Sequence, residues 1–410
     1  MKIGSDALSP APVAMPSSWR ARLFELYLPM TALILLPVFG VAAGPAYAPL
    51  LFTVAVAQFL HRAIGERRVP RLDASWLVLA ALFALLCWVS AAWSIVPARS
   101  LRGAAQVTLV LLGAMIVLAQ ARLPDDATSR LMRIMALAFL IGGAMVAVDR
   151  LANYPIESLV TDGALNAPTK YNRGIAYAVL IACPVAASLW RSRAALYLGA
   201  LLLGSALMVG FGLSLTAKLA ALAALLIFAA SMIAPRLAAL ALAAGAAAFA
   251  VFCPLLLHLL ASHRGALAPY LKQSGQARLE IWDYMTARVF ERPFHGWGFW
   301  SANAVPITPR ELSGYRWVSL QGIYPHDQWL QLWVETGLFG AVLGLVFVVL
   351  VLQRARRLPQ DLRPFAYAAF AAAAAVSLAD FDVATDSWWA ALAICAFLFA
   401  QAASLPARRG

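Results

Sequence analysis

The chain has 410 residues, of which 63% are hydrophobic and only 12% are charged. A soluble domain carries roughly a quarter charged residues, whereas apolar runs of about 20 residues, the length that spans a bilayer, recur along this chain. The composition therefore excludes an ordinary soluble protein and predicts one polytopic membrane domain, and the net charge of +13 lies in short loops instead of a patch for nucleic acid.

The apolar runs predict an all-α fold with about twelve transmembrane helices. The predicted spans are 23–43, 46–61, 74–94, 101–121, 131–150, 174–190, 195–212, 216–233, 236–260, 329–352, 364–380 and 386–404. Residues 1–22 and 405–410 are the tails, 23–260 holds spans one to nine, and 329–404 holds the last three. A long loop, 261–328, separates the ninth span from the tenth. An even number of spans places both termini on one side.

The distribution of Lys and Arg predicts which side that is. Of the 32 cations, 19 lie in segments on the side of the termini, six in the short loops of the other side, and seven in 261–328. Cytoplasmic loops carry an excess of Lys and Arg, and long loops are not counted in this rule. We therefore expect cytoplasmic termini and a periplasmic 261–328 segment.

Two segments on the predicted outer side, 151–173 and 261–328, are longer than ordinary connectors. Loops of this length are usually functional or disordered, and their aromatic residues and cations favour function. Within the second, apolar residues recur at helical spacing and predict an amphipathic helix at about 277–291 that ends near Pro293. Such a helix could lie at the outer membrane surface. The residues of its apolar face are Leu279, Trp282, Met285, Val289 and Phe290.

His326 is the histidine with the most informative context, because it follows Pro325 and precedes the span 329–352. It is therefore predicted at a helix N-terminus near the outer interface. One interpretation is an interfacial residue that caps the helix. The other is a general base, since an imidazole pKa near about 6.5 suits proton transfer at neutral pH.

Glu335 lies about two turns into the same predicted span. An ionisable group at that depth is costly unless it is paired or faces a cavity, so a structural role is the favoured interpretation. Gly337, Gly340 and Gly344 lie along one side of this helix. They are predicted to let a neighbouring helix approach closely.

Several cations stand at the outer ends of predicted helices. Lys170 and Arg173 precede one span, Lys218 begins another, and Arg278 begins the amphipathic helix. Cations that face one outer cavity would suit a phosphate-rich ligand, although some could instead pair with outer acids. No Walker loop, HExxH motif or acidic cluster is present, so neither ATP, a metal nor another cofactor is predicted.

Two motifs bracket the long outer segment. The first is Arg, Trp, Pro and Gly-x-Gly, and the second is His-x-x-x-Leu-Gln-x-x-x-Glu-x-Gly. With the Tyr-Asn-Arg-Gly at 171–174 and the twelve-span layout, they make the chain resemble the O-antigen ligase family, within the O-antigen ligase/polymerase superfamily of bacterial membrane glycosyltransferases. The motif residues are Arg278, Trp282, Pro293, Gly296 and Gly298, then His326, Leu330, Gln331, Glu335 and Gly337.

The chain departs from the family at one position. Where the family often has a Ser-rich stretch followed by Arg, this sequence reads LSLTAK, so that Lys218 stands in place of the arginine. The charge is kept, but the planar fork that binds two phosphate oxygens at once is lost. Lys218 therefore ranks after Arg278 as a candidate for phosphate binding.

The resemblance implies a function as well as a fold. It implies a GT-C-like helical fold in the bacterial inner membrane, with the active site on the periplasmic side. The donor would be O-antigen on undecaprenyl diphosphate, and the acceptor a sugar hydroxyl of lipid A–core, among membrane lipids and without nucleic acid. Transfer would be metal-independent and would invert the anomeric carbon.

The resemblance and the chemistry of a diphosphate leaving group together suggest residue roles. Without a metal, the developing charge has to be met by cations, which suggests Arg278 first, then Lys218 and Arg173, with Arg288 and Lys170 as further candidates. His326 would take the proton of the attacking hydroxyl. Supporting structural roles fall to Glu335, Gln331 and Gly337.

Three alternatives remain open from the sequence. An O-antigen polymerase uses the same donor and shares the superfamily motifs, and a protein O-oligosaccharyltransferase would use Ser or Thr as the acceptor. A non-enzymatic transporter of anionic lipids is the third, although such proteins often show repeated halves, and no convincing internal repeat is present.

Overall fold

The computed structural model describes residues 18–65, 67, 72–120, 122–156, 171–318, 324–379 and 383–406. We number the helices of ten or more residues in chain order. They are α1 Trp19–Gly40, α2 Gly44–Gly65, α3 Ala74–Ala92, α4 Pro97–Leu118, α5 Asp125–Leu151, α6 Tyr171–Arg191, α7 Ala195–Phe211, α8 Leu215–Ile233, α9 Pro235–Ser262, α10 Gln273–Glu291, α11 Gln328–Arg357, α12 Arg363–Ser377 and α13 Asp386–Ser404.

The protein is an all-α multi-pass membrane protein. Within the described ranges no strand occurs, and 10 helices are long and apolar enough to cross a membrane. Large apolar side chains cover their outer faces, as Leu222, Leu225 and Leu226 do on α8. Each of the twelve predicted spans falls on a helix. Two of these helices, α7 with 17 residues and α12 with 15, are shorter than the rest.

Helix α6 is the centre of the bundle. It packs against α5, α7, α8, α12 and α13, and most of its residues are buried. Tyr177 anchors it to α13 through a 2.8 Å hydrogen bond between its hydroxyl and that of Ser387, and its ring stacks on Trp388. Alanines such as Ala220 on α8 and Ala372 on α12 are fully buried, since small residues let helices approach closely in a membrane.

Three of the ion pairs lie at one end of the bundle. Arg62 bonds Glu25 at 2.9 Å, Arg191 lies 3.7 Å from Asp361, and Arg354 bonds Asp73 at 2.5 Å. All six residues lie at or near helix ends on the same side, which is the side predicted to be cytoplasmic. His326 and the 263–318 segment lie at the opposite end, because an odd number of crossings separates them from these ends along the chain.

The predicted amphipathic helix is present as α10, and it begins four residues earlier than expected. It packs against α9 and α11, with Met285 and Val289 buried and Phe290 exposed. The Glu280 carboxylate accepts the backbone N–H groups of residues 316 and 317 at 2.9 and 2.7 Å. Helix α10 is therefore part of a folded layer at this end of the bundle, formed by residues 263–318, which we call the outer layer.

The predicted span 329–352 is wrong as one continuous helix. Gly337 has φ 62° and ψ −150°, so α11 consists of two helices, 328–336 and 338–357. A methyl group on Gly344 would contact Leu332 and Trp329 at 3.0 Å, whereas positions 329 and 344 of a straight helix are about 22 Å apart. The first part therefore folds back on the second. Gly344 therefore allows the close approach of the first part of α11 and not of another span.

The chain around the Gly-Trp-Gly turn satisfies the backbone at this break. The backbone N–H of Trp297 donates to the carbonyl of residue 334 at 2.8 Å, and that of Gly298 donates to the carbonyl of Glu335 at 2.9 Å. The backbone N–H of residue 338 donates to the carbonyl of Pro293 at 2.8 Å. A broken helix is tolerated at membrane depth only where such groups find partners inside the protein. The two motifs of the sequence thus meet as one backbone-paired unit.

Candidate functional site

His326 lies directly outside the helix cap of α11. Asp327 is the capping residue, because its Oδ1 accepts the N–H of Leu330 at 2.8 Å, so the interpretation of His326 as the cap is wrong. His326 is partly buried and has φ 52°. This left-handed conformation is uncommon outside glycine, although histidine is among the residues that adopt it more often.

Two tryptophans hold the chain on the N-terminal side of His326. The indole of Trp282 donates to the carbonyl of Pro325 at 2.9 Å, and that of Trp300 donates to the hydroxyl of Tyr324 at 3.0 Å. One indole comes from α10 and the other from the segment after the Gly-Trp-Gly turn. The sequence indicates Trp282 as a motif residue and as part of the apolar face of α10, but it does not indicate Trp300 or Tyr324, because nothing local points to their partners.

Arg278 shares a face of α10 with Trp282, since residues four apart on a helix are neighbours. Its side chain therefore lies one turn from the indole that binds the residue before His326. Arg278 is partly buried, and its Nε is fully buried without a hydrogen-bond partner in the described part of the chain. Buried donors are normally paired, and the diphosphate contact predicted for Arg278 remains a prediction.

Arg288 has a different environment. Its guanidinium bonds the carboxylates of both Glu291 and Glu311 and lies over the ring of Tyr284, 5.1 Å from the ring centroid. Two carboxylates already neutralise this cation. Its predicted diphosphate contact remains a prediction, and these contacts favour a role in holding α10 to the outer layer.

Arg173 and Lys218 lie at the same end of the bundle as His326. Both are exposed, on the first turns of α6 and α8, and the α7–α8 turn contacts α6 at Ile175. Lys170 lies outside the described residues. Arg173, Lys218 and Arg278 thus lie on three different helices, α6, α8 and α10, at the end of the bundle that contains His326.

Segment 383–388 contacts both α11, the helix that follows His326, and α6, the helix of Arg173. On one side its Val383 N–H donates to Gln331 Oε1 at 3.0 Å, and on the other its Ser387 bonds Tyr177 of α6. Arg173 precedes Tyr177 by one helical turn. The His326 helix and the outer end of α6 therefore pack against the same short segment.

Glu335 connects α11 to the loop beyond Gly298. It is 1% exposed, and its Oε1 accepts the amide of Gln331 at 3.2 Å and the N–H of Ala302 at 3.3 Å. A methyl group on Gly296 would contact the backbone of Glu335 at 2.5 Å. The close approach of these two chains thus requires glycine at position 296.

The Asp327 carboxyl titrates near neutral pH. Burial raises its pKa to about 7, although hydrogen bonds from the N–H groups of Leu330 and Trp329 and from the Cys253 thiol favour the ionised form. Asp327, the capping residue next to the candidate base His326, therefore changes its charge over the same pH range as a histidine.

We expect Asp327→Asn to remove a pH dependence of stability. A carboxyl whose pKa is raised from 3.8 to about 7 on folding contributes stability that is present below 3.8 and is lost as the pH rises through 7, by up to about 4 kcal/mol. Asparagine caps equally well and does not titrate. The melting temperature of the wild type should therefore fall relative to Asp327→Asn between about pH 5 and pH 8. A difference that stays constant over this range would contradict the prediction.

Comparison with known families adds to this geometry. Residues 200–345 match the family model described as O-Antigen ligase. Over this segment the chain is similar to the O-antigen ligase family. The resemblance inferred from the motifs is confirmed there, and the matched segment includes Lys218, Arg278, His326 and the break at Gly337.

Curated relatives agree with this assignment. A protein of Rickettsia typhi is 26% identical over 121 residues, which are 29% of this chain and 30% of the relative. One of Rickettsia conorii is 26% identical over 120 residues, 28% of this chain and 29% of the relative. Each carries the name "Putative polysaccharide ligase". The similarity thus spans less than a third of these relatives, so it supports a ligase-type function in general.

Proposed function

We propose that the protein is an O-antigen ligase that transfers O-antigen from undecaprenyl diphosphate to a sugar hydroxyl of lipid A–core. The observation that carries this proposal is the Trp282–Pro325 hydrogen bond, which joins the helix of Arg278 to the segment of His326 inside the matched segment. This contact supports the proposal because it links the helix of the proposed diphosphate-binding cation to the segment of the proposed base.

The reaction is a single displacement. The acceptor hydroxyl oxygen attacks the anomeric carbon from the face opposite the leaving group, and His326 takes the hydroxyl proton. The bond between the anomeric carbon and the phosphate oxygen breaks, and undecaprenyl diphosphate leaves with the electron pair. Attack from the opposite face inverts the anomeric configuration, and the diphosphate bond already activates the donor.

The cations serve the leaving group. Negative charge grows on the diphosphate as the glycosidic bond breaks, and fixed cations lower the energy of that state more than that of the bound substrate. Arg278 is the first candidate because, within the described residues, no carboxylate forms an ion pair with it, whereas Glu291 and Glu311 bind the guanidinium of Arg288. Lys218 and Arg173 are proposed to bind the same diphosphate from α8 and α6, with Arg288 and Lys170 as further candidates.

The proposal places the active site in the periplasm and the termini in the cytoplasm of a bacterial inner membrane. It is supported by the excess of cations at the end opposite His326. Lipid-facing grooves between the helices would hold the polyprenyl tail of the donor and the acyl chains of the acceptor.

One assay tests the proposed function. The full chain is incubated with a glycan on polyprenyl diphosphate and with lipid A–core, in the presence of chelator and without nucleotide. We expect a ladder of glycan on lipid A. A longer glycan on the carrier would instead identify a polymerase, glycan on an added Ser/Thr acceptor protein an oligosaccharyltransferase, and loss of activity in chelator would contradict metal-independent transfer.

We expect Arg278→Ala to lower the transfer rate about 10²- to 10³-fold, as removal of a charge-stabilising donor does in other enzymes. Arg278→Lys should retain part of the rate, because it keeps the charge but not the fork. The matched control is Arg310→Ala, an exposed arginine of the same outer layer, which should leave the rate unchanged. Wild-type transfer by Arg278→Ala would contradict the diphosphate assignment.

A further inference from the structure

A cavity of about 490 Å³ lies far from His326, between α5 and α7 at the opposite end of the bundle. Its lining residues are Asp126, Ser129, Arg130, Arg133, Ile134, Leu137 and Tyr197. Six of these residues belong to α5, and Tyr197 belongs to the first turn of α7. The ligase chemistry proposed above uses none of them.

Helices α5 and α7 run parallel and pack closely against each other. A methyl group on Gly143 of α5 would overlap the carbonyl oxygen of Gly204 on α7, and one on Gly204 would overlap the carbonyl of Phe139. The two backbones are therefore in direct contact there. Helices that cross at an angle separate on either side of the contact, and Arg130 lies about 20 Å along α5 from Gly143. The cavity lies at the Arg130 end of α5, next to the first turn of α7.

The cations of this cavity lack carboxylate partners. Other arginines at this end, such as Arg62, Arg191 and Arg354, lie against acids. Within the described residues neither Arg130 nor Arg133 forms an ion pair, although Asp126 lines the same cavity. The Arg133 guanidinium lies 5.7 Å from the centroid of the Tyr197 ring. Two exposed guanidinium groups thus face one open volume.

The lining changes from polar to apolar along α5. Arg130 and Arg133 come first, and Ile134 and Leu137 follow on the same stripe of the helix. Leu137 is 43% exposed and lies about 10 Å farther along the axis than Arg130. This is the order in which a phospholipid presents its phosphate and its acyl chains at a bilayer surface.

We propose that this cavity binds an anionic phospholipid from the leaflet at the end opposite His326. The phosphate lies between Arg130 and Arg133, with Ser129 as a further hydrogen-bond donor, and one acyl chain follows Ile134 and Leu137. Basic sites between helices are a known mode of lipid headgroup binding. A free phosphate would use the cations but not the apolar lining of Ile134 and Leu137. The charge distribution predicts this leaflet to be cytoplasmic.

The test compares lipid retention by variants of the full chain. The protein is purified in detergent, mixed with phosphatidylglycerol or phosphatidylcholine, and examined by native mass spectrometry and by thermal unfolding. Arg130→Gln/Arg133→Gln is the test variant. Arg356→Gln/Arg357→Gln is the control, because it removes two exposed charges at the same end of the bundle but away from the cavity.

We expect the wild type and the control to retain phosphatidylglycerol and to be stabilised by it, and the test variant to retain at least tenfold less. Equal retention by the test variant, or an equal loss in the control, would overturn the proposal. Stabilisation of the wild type by inorganic phosphate alone to the same extent would overturn it as well, since the site would then bind a free anion. Failure of the ligase assay would leave these outcomes unaffected.

Discussion

The His326→Ala variant is expected to lose glycan transfer while it still binds the polyprenyl-diphosphate donor. A positioned general base contributes about 10²- to 10⁴-fold to a rate, and the proposed mechanism gives His326 no contact with the leaving group. The measurement is the single-turnover transfer rate together with donor retention on the protein. Both are needed, because a variant that loses donor binding would indicate a structural role for the histidine.

Two further measurements make this test more specific: a matched histidine variant and rescue by added imidazole. His263 is exposed in the same outer layer, and its ring bonds the carbonyl of Leu259 at 2.8 Å, so His263→Ala should transfer at the wild-type rate. Added imidazole should partly restore transfer by His326→Ala if the missing group is a proton acceptor. Near-normal turnover by His326→Ala without imidazole would remove it as the base.

Gly337→Ala is expected to be strongly destabilising. Its φ and ψ fall in a region that essentially only glycine adopts, and a methyl group would overlap the carbonyl group of Phe294. The backbone strain alone costs about 1 to 3 kcal/mol, and the overlap would also push apart the paired segments around the Gly-Trp-Gly turn. We expect a large fall in folded yield and in melting temperature.

The control for this substitution is Gly199→Ala. Gly199 lies within α7, and a methyl group there would meet nothing within 4 Å. Alanine is the better helix former by about 1 kcal/mol, so this variant should be as stable as the wild type or more stable. A Gly337→Ala protein with the wild-type melting temperature would contradict the observed break in α11.

Much of the architecture could be predicted because its causes are local. Apolar runs of bilayer length predicted helices at all twelve positions, since a chain in lipid has to satisfy its backbone within each segment. The spacing of Leu279, Met285 and Val289 predicted α10 for a similar reason, because one face of a helix has to be buried. The motif residues also identified the ligase family, which the comparison confirms over residues 200–345.

The arrangement of the candidate site could not be predicted, because its decisive contacts join residues distant in sequence. Trp282 reaches Pro325, 43 positions away, and Glu311 neutralises Arg288 across 23 positions. Neither partner is implied by the local pattern. A sequence shows that a cation is present, but only its neighbours decide whether it is free to bind a diphosphate.

The sequence by itself thus determined the membrane class, the helices and the resemblance to the O-antigen ligase family. Only the tertiary structure decided that the last motif contains a helix break instead of a continuous span. The hydropathy of residues 328–357 is uniform enough for one long helix, and Gly337 alone does not break a helix. The break forms because Trp297, Gly298 and Pro293 supply partners for the backbone groups that it exposes, and those partners come from a segment about 40 residues earlier in the chain.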